Sequence, residues 1–114
     1  MNLKEIFEKV NLVVPMEQRR FFNYFDDTVK ELESSYGKFV FENGERYDAP
    51  YSLDDFCAVR PLFAPAIVDN ILYIASSSEN YKTEFIRKAR DAYLKYWNDN
   101  AKGRTFGGER GRVW

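Results

Sequence analysis

The stretch Pro65-Ala66-Ile67-Val68-Asp69-Asn70-Ile71-Leu72-Tyr73-Ile74-Ala75 decides the fold. Ile67, Val68, Ile71, Leu72 and Ile74 would cover most of the circumference of a helix. A helix that is apolar nearly all round belongs at the centre of a domain, not at its surface. The apolar run from Leu62 to Ala75 contains Pro65, Asp69 and Asn70, so it is too short and too polar to span a bilayer. The expectation is a soluble, mainly α domain assembled around this segment.

On its far side, Ser76-Ser77-Ser78 predicts a turn, and a last helix is expected from about Glu79 to Asn100. Tyr81, Phe85, Ala89, Tyr93 (or Ala92), Tyr96 and Trp97 mark its inner face. Glu84, Lys88, Asp91 and Lys95 alternate in sign along another stripe, which reads as a solvated face worth tenths of a kcal/mol per pair. On the near side, Pro61 and Pro65 bracket a break. Ser52 is placed to cap a short helix running through Val59, with Asp54 and Asp55 in its first turn.

Two helices are expected at the start. Asn2 with Glu5 forms a capping-box pattern, followed by Leu3, Ile6, Phe7 and Val10 on one face. Pro15 ends that helix, because the residue before proline avoids helical geometry. A second helix should run from about Met16 to Tyr36, with Phe22, Phe25, Val29, Leu32 and Tyr36 as its stripe and Phe21 and Tyr24 widening it. Gly37 is the expected left-handed stop.

Between the two halves the period changes. Lys38–Glu42, Asn43-Gly44 and Glu45–Tyr47 read as a β-hairpin at about 38–47, since Asn-Gly accepts the two positive φ angles of a type I′ turn. Two strands alone are marginal, so the hairpin must pack on the helices or be completed by another subunit. The fold class expected is a compact bundle of four to five helices with this small insertion. Residues 1–101 form one domain, and residues 102–114 a flexible basic tail with four glycines and no apolar periodicity.

Composition narrows the function. The 114 residues are 45% hydrophobic, with ten Phe, eight Tyr and two Trp, an aromatic load suited to cores and contact surfaces. The net charge is −1, too low for general phosphate binding. It is unevenly spread: residues 1–81 carry 8 basic and 14 acidic side chains, and residues 82–114 carry 9 and 4. Such polarity favours head-to-tail pairing or docking on an acidic partner. The single cysteine, Cys57, excludes an intramolecular disulfide and reads as a small buried hydrophobe. No signal-peptide pattern opens the sequence, so an intracellular protein is expected.

Catalytic equipment is missing. There is no histidine, no zinc-ligand set and no phosphate-binding glycine motif, so no enzyme activity and no cofactor or metal are expected. Asp26-Asp27 reads as solvent face and Asp54-Asp55 as helix N-terminal charge. Asp69 and Asn70 interrupt the central helix. A buried carboxylate requires a partner, for which Arg60 and Arg87 are the candidates, with a contact between subunits as the alternative. In the tail, Lys102, Arg104, Phe106, Arg110, Arg112 and Trp114 combine the side chains that anchor interfaces, which marks them as candidate partner-binding residues.

Three segments carry a resemblance: Leu3-Lys4-Glu5-Ile6-Phe7-Glu8-Lys9-Val10, Ala66–Tyr73, and Tyr81-Lys82-Thr83-Glu84-Phe85-Ile86-Arg87-Lys88-Ala89-Arg90-Asp91-Ala92-Tyr93. Together they resemble the small head–tail connector (adaptor) proteins of tailed phages and prophages of Gram-positive bacteria, over roughly residues 3–104. The resemblance implies a structural virion-assembly protein, in the bacterial cytoplasm during assembly and then in the virion. It implies a homo-oligomeric ring beneath the portal, formed on assembly even if the isolated chain is monomeric, with portal and tail-completion proteins as partners. Channel DNA is then met only indirectly and no membrane is involved. The segment Lys102–Trp114 would be the portal-docking element.

Two other readings compete. A small nucleic-acid-binding regulator would use the last helix and the basic tail, against an acidic balance and without a helix-turn-helix signature. An enzyme built on carboxylates would need Asp69 in an open pocket beside a second carboxylate.

Overall fold

A computed structural model describes residues 2–42, 52–54 and 58–103, the side chains as far as residue 99. Four α-helices account for most of them: α1 (Leu3–Val13), α2 (Gln18–Tyr36), α3 (Ala64–Ser76) and α4 (Glu79–Gly103). Two short 3-10 turns, Gly37–Val40 and Pro61–Phe63, end α2 and lead into α3. Among the described residues no helix is long and apolar enough to cross a membrane.

The local causes are those the sequence offers. Asn2 accepts from the Glu5 amide and the Glu5 carboxylate accepts from the Asn2 amide, a complete capping box at 3.2 Å each way. Past α1, the Asn11 side chain accepts from the Met16 amide at 2.8 Å, which fixes the bend across Pro15 and delays α2 to Gln18. Gly37 ends α2 with φ 66° and ψ −153°. This is positive φ with an extended ψ, not the left-handed helical stop expected, and it is a region nearly exclusive to glycine. Ser77 closes α3 in the true left-handed region, at φ 62° and ψ 17°. No glycine or proline interrupts the chain from there to Gly103, so α4 outruns its expected end at Asn100.

Helix α3 lies at the centre, packing against α1, α2 and α4. Ala66, Ile67, Ile71 and Leu72 join one core with Leu3, Ile6 and Val10 of α1 and Phe85, Ala89 and Ala92 of α4. Phe21, Phe25, Phe41 and Phe63 are almost fully buried, each contributing roughly 1.5–3 kcal/mol relative to exposure. On α2 the deepest positions are Phe21, Phe25, Thr28, Val29 and Leu32, while Phe22, Tyr24 and Tyr36 are half-buried. The face has turned toward Phe21 because Phe7 of α1 meets that ring edge-on, centroids 5.1 Å apart.

The first strand of the expected hairpin, Lys38–Glu42, is not formed. Lys38, Phe39 and Val40 lie in a 3-10 turn, and Phe41 makes an antiparallel bridge with Val59 instead. The Glu42 amide donates to the Ala58 carbonyl (2.9 Å) and the Arg60 amide to the Val40 carbonyl (2.8 Å). A strand would alternate Val40 and Phe41 between faces, whereas both are buried here. Core burial beside Val59 wins over a marginal two-stranded unit. The expected turn at 43–44 and the second strand, 45–47, lie outside the described residues. The short helix expected through Val59 also fails at its end, because Val59 is extended in that bridge. Ser52 does accept from the Asp54 amide at 3.3 Å, and Leu53 accepts from the Lys4 amide at 3.0 Å, tying this segment to the start of α1.

Candidate interaction surface

Asp69 is buried, 8% exposed, and its partner is neither arginine suggested by the sequence. Lys88 of α4 reaches it, Nζ to Oδ2 at 2.7 Å. The approach lies off hydrogen-bond direction, so the contact is ionic. No second carboxylate shares the position among the described ion pairs. Arg87, one residue earlier, turns outward and bridges Glu84 (2.6 Å) and Asp91 (3.2 Å) along the surface of α4. The hydrogen bond with Arg87 holds the Glu84 carboxyl below its ordinary range, and Glu84 in turn raises Arg87.

Arg60 has a different role. Its Nε donates to the Phe39 carbonyl at 2.7 Å, and its guanidinium lies 4.8 Å over the Phe39 ring and 4.7 Å over Tyr96. Phe39 also meets Tyr93 edge-on at 5.0 Å and stacks with Trp97 at 5.8 Å. The cluster fastens the turn after α2 to the second half of α4. Its outer member, Trp97, remains 43% exposed.

Asn70 is the buried hub of a polar chain. Its amide donates to Thr28 Oγ1 (2.9 Å), and Thr28 donates to the Tyr24 carbonyl (2.8 Å). Lys82 donates to Asn70 Oδ1 (3.4 Å) and pairs with Glu31. These bonds join α2, α3 and α4 through side chains that are 42 and 12 residues from Asn70 in sequence. Such partners leave no periodic trace in the sequence, so nothing there marks Thr28 or Lys82 as a partner of Asn70.

The outer surface carries apolar groups without cover. Ile86 (55% exposed) and Leu94 (50%) lie on α4 in the company of Trp97. Leu12, at the end of α1, is 87% exposed. Between the turn before α3 and α4 lies a shallow trough of about 360 Å³. Leu62, Pro65 and Ala92 form its apolar lining, and Arg87, Lys88, Asp91 and Lys95 its polar one. Among the described residues no group of three His, Cys, Asp or Glu could hold a metal ion.

Of the tail residues singled out by sequence, Lys102 belongs to the backbone of α4. Arg104, Phe106, Arg110, Arg112 and Trp114 lie outside the described residues, as does Cys57. Neither a protein family, nor a curated protein, nor a solved structure matches this chain.

Proposed function

We propose that this chain is a structural assembly protein of the head–tail connector kind, acting through contact surfaces and without catalysis or a cofactor. The observation that carries the reading is the row of exposed apolar and aromatic side chains on α4: Ile86, Leu94 and Trp97. Interface cores are more apolar than the rest of the surface, and aromatic side chains and arginine anchor them. The same helix leads directly into the basic, aromatic segment from Lys102 to Trp114, the proposed portal-docking element. The rigid part of the molecule then presents one contact face, and the segment beyond it a second.

Copies of the chain and a portal ring are the partners in this reading, with tail-completion proteins on the opposite side and channel DNA met only in passing. Co-expression with a portal protein, affinity capture and analytical ultracentrifugation test it. The expected result is a stable co-complex that is lost when residues 104–114 are removed and weakened by Trp97→Ala. A chain that never associates with portal under these conditions overturns the proposal.

A further inference from the structure

Two exposed features of the molecule complement each other. Leu12 stands out from the end of α1 as an apolar knob, and Glu8, one turn before it, is exposed and makes no ion pair among the described residues. The trough between Leu62, Pro65 and Ala92 is an apolar hollow larger than one leucine side chain. At its edge Lys95 is exposed and likewise makes no ion pair among the described residues, whereas Arg87 and Lys88 are already engaged by carboxylates. The knob lies on α1, and the hollow is formed by the turn before α3, the start of α3 and α4.

From this we infer that the trough is the docking site for a second copy of the chain, which inserts Leu12 against Leu62, Pro65 and Ala92 and sets Glu8 beside Lys95. The contact is heterologous: each copy offers one knob and one trough, so pairing leaves one of each free. A heterologous contact propagates, closing into a ring or continuing as a filament according to the rotation it imposes. The inference deepens the assembly reading and rests on it for its biological setting. Its test needs no portal protein, so a failed portal capture and a failed self-contact are separate results.

The experiment is sedimentation of the full chain at concentrations up to about 1 mM, a range that registers weak self-association. The wild type should associate with concentration. Leu12→Asp alone, and Leu62→Glu alone, should each lower association at least tenfold, with helicity and melting unchanged. Mixed in equal amounts, the two variants should form a one-to-one dimer and stop there, because one intact knob and one intact trough remain between them. Lys95→Glu supplies a second trough variant should Leu62→Glu not fold, and Glu8→Lys should restore association to it. A wild type that stays monomeric overturns the proposal. So does a Leu12→Asp chain that associates normally, or a mixture that never dimerises.

Discussion

Two residues with positive φ have opposite relations to their backbone. Gly37 sits at φ 66° and ψ −153°, and nothing lies within 4 Å of where a Cβ would be. Gly37→Ala should therefore cost roughly 1–3 kcal/mol by conformational strain alone. Ser77, in the left-handed region, already bears a smaller penalty. Ser77→Gly should gain about 0.5 kcal/mol, the relief being partly offset by glycine's extra freedom when unfolded. Urea unfolding of the two variants checks both signs. Tyr36 supplies a pH test. Burial raises its phenol above the ordinary value of 10.0, Arg90 opposes this, and Tyr93 adds to it. A raised folded pKa means stability is intact below pH 10 and falls as pH climbs through the folded value. Alkaline unfolding curves of the wild type should drop more steeply than those of Tyr36→Phe, the difference appearing only above that pH.

Between elements, polar side chains set how the helices meet. Asn70→Ala strands Thr28 and the Lys82–Glu31 pair, and should cost about 1–3 kcal/mol in chemical denaturation. Thr28→Val in the same background should cost little more, because its hydroxyl has already lost that donor. The resulting double-mutant cycle measures the coupling directly. The Asp69–Lys88 pair is asymmetric, since Asp69 is the deeper partner. Lys88→Met leaves a buried carboxylate unpaired and should destabilise by about 2 kcal/mol, less than a fully enclosed pair because Lys88 itself is partly exposed. Asp69→Asn should cost less, because an amide tolerates burial without a counter-charge. Equilibrium unfolding of the two variants ranks them.

For the molecule as a whole, charge and exposed apolar surface act together. Self-association through Glu8 and Lys95 should weaken several-fold between low and physiological salt, since exposed charges are screened over about 8 Å at that ionic strength. The Leu12 contribution should persist in both. Sedimentation at two salt concentrations separates them: the wild type loses affinity with salt, and Glu8→Gln should show a flatter dependence. The helical body itself should melt at the same temperature in both buffers, because its core is apolar and its surface pairs are individually weak.

The sequence by itself determined the helices and the centre of the fold. The capping box at Asn2, the break at Pro15, the stop at Gly37 and the apolar belt from Ile67 to Ile74 are all local patterns. A long apolar period, a cap or a proline biases the backbone through neighbours in sequence, so it is legible there. The tertiary structure decided what local pattern cannot carry. It turned Phe41 away from a hairpin and onto Val59, because the core lay beside it and a lone pair of strands could not hold. It gave Asp69 to Lys88, not Arg60 or Arg87, and joined Asn70 to Thr28. Those partners are fixed by which helix faces cross, and the crossing is set by packing all four helices at once. The same packing left Leu12 standing out of α1 and opened the trough beside Leu62, so where one copy would meet the next was written only in the folded shape.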